Sequence, residues 1–296
     1  MPTHPRLLHL RPVQPRQSLA TLTVPAPGTA LAPGTVLVHP YANPQPLDTR
    51  RVRFTADAIS FIEAGRKVVL LAAGAIAADA GDFLFFRKGN CLMTEVAGEG
   101  GGDYRSTMIF LGEGVLAGFA AKYASLLPAA ASAQAAHRYR HDAQTRRLLE
   151  EFKAMAEAPA GIRAALRQLR LEELLLRLST RVDEPFSGFA EAPPSPDALT
   201  TVVERYALSK LSVADLAHLC HVSVATFKRR FGERYGEPPA TYFRRRRLAH
   251  AADLLRAGRV RPSEVYETAG FATASGFAQA FREEFGTSPS AYATRV

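Results

Sequence analysis

The chain of 296 residues is 47% hydrophobic and 22% charged, which is ordinary for a globular protein and excludes a disordered polypeptide. Its longest apolar run, around residues 68–78, is interrupted by Gly74 and is too short for a membrane span, which needs roughly 20 apolar residues. With 37 Lys and Arg against 28 Asp and Glu, the net charge is +9, which favours a polyanionic partner.

The N-terminal residues are rich in proline and lack the apolar stretch of a signal peptide, so we expect a cytoplasmic protein. Two cysteines, Cys91 and Cys220, lie far apart and form no CxxC pair. The sequence therefore supports neither a disulfide framework nor a zinc site, and both side chains are predicted to be small buried hydrophobic groups.

Residues of about 18–120 are predicted to form a β-rich unit. Short apolar stretches alternate with Gly, Pro and Asp, a spacing typical of antiparallel strands in a sandwich or small barrel. Turns are predicted at residues 65–67, 81–82 and 89–90. The predicted strands include residues 36–38, 59–62, 68–71, 83–86 and 107–111.

Residues of about 133–181 change to helical periodicity and are predicted to form a helical hairpin with a break at residues 158–161. A segment rich in proline follows at 183–198, and its composition suits an extended, semi-stiff linker. The linker is predicted to divide an N-terminal domain, residues 1–182, from a C-terminal domain, residues 199–296.

The C-terminal domain repeats itself at a spacing of 50 residues, which indicates two copies of one supersecondary unit. The repeated pairs are Phe227/Phe277, Phe231/Phe281, Tyr235/Phe285, Gly236/Gly286, Pro239/Pro289 and Tyr242/Tyr292. These aromatic positions follow the predicted buried stripe and are assigned to the core.

The first copy is predicted to be a helix-turn-helix unit over about 212–236. Ser212 suits the N-cap of a short helix, and Ser223 suits the N-cap of the next helix, which Gly236 ends. That second helix is expected to expose one face to a DNA major groove. Its predicted buried stripe is Phe227, the aliphatic stem of Arg230, Phe231 and Tyr235. Its predicted exposed face is Ala225, Lys228, Arg229 and Gly232.

A long helix is predicted from Pro239 to about residue 257, since proline suits the first helical turn. At 1.5 Å per residue its length is roughly 27 Å, which with flanking turns can hold two units about one DNA turn, ~34 Å, apart. The second unit is predicted over about 262–286, with a first helix over 263–269, a turn at 270–271 and a second helix over 274–285.

These residues resemble the signature of the AraC/XylS transcription regulators, in register over about 85 residues. The matching positions include Ala217, Ser223, Phe231, Gly236, Arg247, Ala251, Leu254, Leu255, Ala269, Gly270, Phe271, Ser275, Phe277, Phe281, Phe285, Gly286, Pro289 and Tyr292. The resemblance implies a two-domain α+β fold, with a cupin-like β-barrel or sandwich and helical hairpin followed by an all-α double helix-turn-helix domain. It departs from the family at Tyr266, usually alanine, and at His221, often glycine.

Family roles carried onto this chain imply contacts with promoter DNA. The implied base-reading residues are Ala225, Lys228 and Arg229 in the first unit and Ser275, Gly276 and Gln279 in the second. The predicted phosphate contacts are Ser223, Arg230, Arg234, Arg244, Arg245 and Thr273. Lys228 or Arg229 can bond guanine, and Gln279 can pair with adenine. We therefore expect the first unit to carry most of the specificity.

The resemblance also implies that the N-terminal domain senses a signal and that the helical hairpin forms a homodimer. The implied dimerisation residues are Leu148, Leu149, Phe152, Leu166, Leu169 and Leu174. RNA polymerase beside the promoter is the second implied partner. No cofactor is expected, since residues 18–127 contain a single histidine, His39, and His137 and His141 have no third metal ligand nearby.

A finer resemblance is to the activators of type III secretion operons, on residues 85–89 and 226–236. Their N-terminal domain is usually controlled by a protein partner, so an anti-activator protein is a further expected partner. The alternative is a small-molecule-responsive regulator of a catabolic or stress operon. A repair enzyme with this DNA-binding tail would need a reactive cysteine, which the setting of Cys91 does not support, so no enzymatic activity is expected.

Overall fold

The structure is a computed structural model that describes residues 21–26, 29, 31–44, 48–98, 102–127, 136–181, 186, 197–261 and 263–294. Strands predominate up to residue 140, and helices make up the rest of the described chain. The predicted α+β architecture, a β-sandwich with a helical hairpin followed by an all-helical double helix-turn-helix domain, is confirmed.

The described part of the N-terminal domain contains two five-stranded sheets, in the orders β1-β3-β8-β5-β6 and β10-β7-β4-β9-β2. Pairing is antiparallel except between β1 and β3. The strands are β1 (Leu22–Val24), β2 (Val36–Asn43), β3 (Arg50–Phe54), β4 (Asp57–Ala64), β5 (Arg66–Leu71), β6 (Gly74–Asp79), β7 (Asp82–Phe86), β8 (Gly89–Val96), β9 (Tyr104–Leu111) and β10 (Ala136–Arg140).

Strand β7 shows how the sequence divides the interior into two layers. Its side chains alternate between opposite faces of the sheet. Phe83 and Phe85 join a cluster shared with the helices of this domain, whereas Leu84 and Phe86 join a cluster shared with the first sheet. Because both faces of the strand are covered, all five of its residues are buried.

The sequence pattern misplaced several elements. Residues 136–140 lie in strand β10, which pairs with β7, although they fall in the segment predicted to be helical. Asn90 and Lys67, both assigned to turns, lie in strands β8 and β5. Lys67 is 1% exposed, its Nζ lies 3.7 Å from a Glu95 carboxylate oxygen, and it donates to the Ser60 hydroxyl at 3.2 Å.

The helical hairpin covers the second sheet and closes the larger N-terminal core. After α1 (Val115–Lys122), it consists of α2 (Ala143–Ala154) and α3 (Ala160–Ser179). Asp142 caps α2 by accepting from the backbone N–H of Thr145 at 2.7 Å. Phe186, within the predicted linker, packs edge-on against Phe85 at 4.7 Å between ring centroids and so anchors the chain to this core. The remaining residues of the linker up to 196 lie outside the described residues.

Four of the six residues expected to form a dimer are part of the core of a single chain. Leu148, Leu149, Phe152 and Leu174 are buried against the β-sheet within the N-terminal cluster. Their side chains are therefore inaccessible to a second copy, and we reassign them to core packing. Leu166 is partly exposed and Leu169 is exposed, and both lie in the first half of α3.

The C-terminal domain is helical throughout its described residues, and none of the described helices is both long and apolar enough to cross a membrane. Two hydrophobic clusters form its interior, one in each half. The helices are α4 (Ala198–Tyr206), α5 (Val213–Leu219), α6 (Val224–Tyr235), α7 (Pro239–Arg256), α8 (Val265–Thr268), α9 (Ala274–Phe285) and α10 (Pro289–Thr294). Both cysteines are free and buried, as predicted.

Candidate nucleic-acid interface

The first helix-turn-helix unit consists of α5 and α6. Ser212 and Asp215 form a capping box at the start of α5, in which each side chain bonds the backbone N–H of the other. The turn ends at Ser223, whose hydroxyl accepts from the backbone N–H of Thr226 at 3.1 Å and so caps α6. Gly236 ends α6 at φ 73°, a conformation that glycine adopts without strain.

Helix α6 buries Phe227 and Phe231 and leaves its predicted reading face in solvent. Ala225, Lys228 and Arg229 are all exposed. The Arg229 guanidinium donates to the Glu233 carboxylate, one turn further along, at 2.8 Å. The prediction that the stem of Arg230 lies along the buried stripe is wrong. Arg230 is exposed, because Phe227 and Phe231, at their i, i+4 spacing, fill the inner face of the helix.

The second unit repeats this design with α8 and α9. Thr273 caps α9 by accepting from the backbone N–H of Gly276 at 3.1 Å, and Gly286 ends the helix at φ 71°. Ser275, Gly276 and Gln279 are exposed on α9. Helix α8 has only four residues, fewer than the predicted helix over 263–269. Tyr266, at the position where the family usually has alanine, packs at the edge of the second cluster.

Helix α7 joins the two units and carries the run of arginines at 244–247. Its N-cap is Pro238 and its first residue is Pro239, as the sequence predicts. Arg244 donates to Glu283 of α9 at 2.6 Å, and Arg245 bonds Glu237, which lies just before the N-cap of α7. Both arginines remain about half exposed, so they retain donors for phosphate.

Other predicted phosphate contacts lie at helix ends. Ser223 and Thr273 are the N-caps of α6 and α9, where backbone N–H groups and the helix dipole favour an anion. Arg234, in the last turn of α6, lies 3.6 Å from a carboxylate oxygen of Asp197. Arg247, the last member of the arginine run, is half-buried, and its aliphatic Cδ approaches the Gly270 turn. Burial lowers the pKa of its guanidinium.

An interface between the two domains was not predicted from the sequence. Strands β3, β5 and β8 of the first sheet pack on α4 and α5, and Leu92 of β8 is fully buried in the cluster of the first helix-turn-helix unit. Tyr206 of α4 donates to the Leu71 carbonyl at 2.7 Å. Because the contacting residues are separated by more than 120 positions, no local pattern indicates their contact.

Polar contacts at this interface converge on α5. Arg51 donates to Asp215 at 3.0 Å, and the Asp215 side chain is 5% exposed. The Asn90 amide donates to the His218 carbonyl at 2.9 Å. His218 Nε2 lies 3.0 Å from the Val52 carbonyl, which can only accept, so Nε2 is protonated and donates.

Two histidines of this interface have lowered pKa values. Burial is the main cause at His218, outweighing the hydrogen bonds to two backbone carbonyls, which raise the pKa. Burial also lowers the pKa of His221, with His218 and Arg53 adding positive charge nearby. His221 occupies a left-handed conformation at φ 57°, which explains why glycine is common there in the family. A Cβ added to Gly89 would lie 3.1 Å from the His221 ring, so the packing here is close.

Comparison with known proteins identifies both halves of the chain. Residues 216–295 match the helix-turn-helix domain family, and residues 57–186 match the family of the ExsA N-terminal regulatory domain. The chain therefore carries a helix-turn-helix domain of the AraC type and an N-terminal domain of the ExsA type. The base-reading and phosphate positions taken from the resemblance thus lie within the segment that matches the helix-turn-helix domain family.

Similar proteins include AraC-type regulators from two genera. The virulence regulon transcriptional activator VirF of Yersinia enterocolitica is 32% identical over 43% of this chain and 48% of its own length, so the chain spans about half of that relative. The regulator ExsA of Pseudomonas aeruginosa is 26% identical over 71% of this chain and 76% of its own length. A solved structure of ToxT from Vibrio cholerae covers 89% of this chain and 98% of its own at a TM-score of 0.43 and 12% identity.

No group of three or more His, Cys, Asp or Glu side chains within the described ranges is arranged to hold a metal ion. His137, on β10, is buried beside Phe85 and Tyr139, and His141 packs edge-on against Phe61. His137 lies in strand β10 and His141 directly follows it, so their i, i+4 spacing does not place them on one face of a helix.

Proposed function

We propose that this protein is a transcription activator that recognises promoter DNA through α6 and α9. The observation that carries the proposal is the pair of capped, glycine-ended helices, each exposing a small-residue and polar face and each supported by its own hydrophobic cluster. An enzyme would need a reactive centre, whereas here the exposed polar side chains are those suited to base edges. We assign no catalytic activity to the chain.

The first unit is proposed to read guanine and the second adenine. Lys228 and Arg229 present donors only, and guanine offers two acceptors in the major groove. Gln279 has both a donor and an acceptor, which match adenine. Ala225, Ser275 and Gly276 are small, so they let the backbone of each helix approach the bases closely.

Phosphate contacts are proposed to set the register of each helix on the duplex. Ser223 and Thr273 would contribute through the helix N-termini, and Arg244 and Arg245 through guanidinium groups on α7. Arg230 and Arg234 on α6 complete the proposed set, and the exposed position of Arg230 favours this role over core packing. These contacts carry little sequence information and supply salt-dependent affinity.

The target is proposed to be a type III secretion or virulence operon, with the protein acting in the cytoplasm beside RNA polymerase. The match of residues 57–186 to the ExsA regulatory domain favours control by a partner protein such as an anti-activator. A small-molecule-responsive regulator of a catabolic or stress operon is the alternative. The interface with α5 provides a direct route for either signal, since β3 and β8 contact the first unit.

A homodimer is proposed through the first half of α3. Ile162 and Leu169 are both 58% exposed and lie two turns apart, with Leu166 between them on the same face. Exposed large apolar groups at this spacing are typical of a helix that packs on another helix. Two such copies would place two C-terminal domains on neighbouring half-sites.

Genome-wide mapping of the bound protein, combined with transcript levels in a deletion strain, tests this proposal. Discrete sites upstream of secretion operons whose transcripts fall on deletion are expected. Sites beside a catabolic or stress operon would favour the small-molecule alternative. Binding without discrete sites would contradict a sequence-specific activator.

A further inference from the structure

Each recognition helix carries a glutamate one turn after a reading residue. Glu233 follows Arg229 on α6, and Glu283 follows Gln279 on α9, so the arrangement repeats at the same spacing of 50 residues. In both copies the reading side chain donates to the glutamate, at 2.8 Å from Arg229 and 3.1 Å from Gln279. The repeat preserves the hydrogen bond although the reading residue differs.

The bond on α9 fixes which way the Gln279 amide turns. A carboxylate only accepts hydrogen bonds, so the Gln279 NH₂ group must face Glu283 and its carbonyl oxygen must face away. One N–H and the carbonyl oxygen then remain for a base. That combination matches the N6 donor and N7 acceptor of adenine. Guanine presents two acceptors, so the Gln279 carbonyl oxygen would face a lone pair of guanine.

Arg244 holds the glutamate in place from the connecting helix. Its guanidinium donates to Oε2 of Glu283 at 2.6 Å, while Gln279 bonds Oε1. These three side chains line one surface depression together with Gly276, which places them beside the proposed reading face. The guanidinium also neutralises a carboxylate that the DNA phosphates would otherwise repel.

We propose that Glu283 is a positioning residue for base specificity, which sets the second unit to read adenine by orienting Gln279, and that Glu233 plays the same part for Arg229 in the first unit. This inference rests on the proposed function, because it requires Gln279 and Arg229 to face bases. It goes beyond that function in assigning the choice of base to residues that need not touch DNA.

Unlike the Gln279 amide, the Arg229 guanidinium has only donors, so Glu233 can fix its orientation but cannot change which groups face the base. Its guanidinium has five donors, and one is used by Glu233, so a pair of donors remains for O6 and N7 of guanine. Loss of Glu233 should therefore weaken the guanine preference without replacing it by another base. Loss of Glu283 should let the Gln279 amide turn over, so that the preference between adenine and guanine decreases.

The test is selection of bound sequences from a random duplex library by the purified full-length protein and its variants. Gln279→Ala first locates the base position that Gln279 reads. At that position the native protein should prefer adenine over guanine by about tenfold or more, as bidentate pairing gives. Glu283→Gln, which keeps the shape and removes the charge, should reduce the ratio to about threefold or less.

Glu284→Gln is the matched control, because Glu284 is the neighbouring exposed residue and the charge change is the same. It should leave the adenine preference unchanged, and thermal melting of each variant should show equal folding. If Glu283→Gln left the preference for adenine over guanine at the native value, the inference would be overturned. The proposal of a sequence-specific regulator would still stand. A native protein that selects no motif would contradict both the inference and the proposed function.

Discussion

At the residue scale, the side chains proposed to read bases differ in kind from those proposed to bind phosphate. Lys228 and Arg229 lie on the free face of α6, whereas Arg245 lies on the connecting helix and bonds Glu237. Contacts with base edges give discrimination, and contacts with phosphate give affinity that depends on salt. The two groups should therefore respond differently to sequence and to ionic strength.

Substitution of Lys228 or Arg229 by Ala should relax base preference at one position by about 1–3 kcal/mol, because a donor pair to guanine is lost. Arg245→Ala should weaken all sequences alike and reduce the slope of log K against log salt by about one. Titrations of the native site, single-base variants and random duplex at several salt concentrations measure both effects. Equal losses on native and random DNA for the α6 variants would contradict base reading.

The caps and ends of the helix-turn-helix helices could be predicted from the sequence because the repeat and the caps are local patterns. Ser212, Ser223, Gly236 and Gly286 occupy the cap positions that their residue types predict. Arg230 was misplaced, since a long side chain on a helix can satisfy either a buried or an exposed position. The interface contacts of Asp215 and His218 could not be predicted from the sequence, because their partners lie in strands more than 120 residues earlier.

At the element scale, the contact between β3 and α5 couples the regulatory domain to the first unit. Arg51→Met should lower the free energy of unfolding by about 1–3 kcal/mol, because it removes a charged partner from the buried Asp215 carboxylate. Urea unfolding of the full chain measures the change. Arg66→Met is the control, since its ion pair with Asp79 is exposed and contributes little. Equal losses in the two variants would argue against a stabilising interface.

The same interface should weaken in acid. The pKa of His218 is lowered by burial, and Arg51, Asp215 and His221 are the charged or titratable groups around it. Above pH ~6.5 the ring is neutral in both states, so the full stability is present. As the pH falls below that value, the unfolded histidine takes up a proton that the folded one does not, and stability is lost.

Unfolding free energies measured between about pH 7.5 and 5.5 check this expectation. The native chain should lose stability toward pH 5.5, and His218→Gln, which keeps a donor for the backbone carbonyls, should lose less. His221 and His141 also have lowered pKa values and remain in both proteins, so the difference between the two slopes is the relevant quantity. Parallel slopes would exclude a contribution from His218.

Elements formed by strongly apolar runs were predicted better than those that depend on pairing. Strands β4, β7 and β9 follow obvious apolar stretches. Strand β3 has three exposed or half-exposed arginines and only two buried residues, and β8 begins with Gly89 and Asn90, which resemble a turn. These strands form because β8 pairs with β3 on one side and with β5 on the other, which no local preference indicates.

At the scale of the whole molecule, α3 offers the surface for a second copy. Leu169→Asp should shift the protein from dimer to monomer, because a charge would be buried between two apolar stripes. Sedimentation at several concentrations measures the mass. Leu126→Asp, at a leucine that is 67% exposed elsewhere in the N-terminal domain, is the control and should leave the mass unchanged. A native chain that is monomeric at all concentrations and on DNA would contradict this dimer.

The domain architecture was predictable from composition and repeats, whereas the arrangement of the domains was not. The strand-rich segment, the helical hairpin and the two units each have their own periodicity. Leu92 of the first sheet completes the core of the first unit, so that unit is packed against the regulatory domain, while the second unit has a separate cluster. A signal in the N-terminal domain should therefore reach α6 before α9.

The most direct test of the central claim is a hydroxyl-radical footprint of the purified full-length protein on a mapped site. Two protected segments are expected on one face of the duplex, about one helical turn or ~34 Å apart for each bound copy, because α6 and α9 would enter successive major-groove segments. Protection of a single segment, or uniform protection without phase, would contradict recognition by two tandem units.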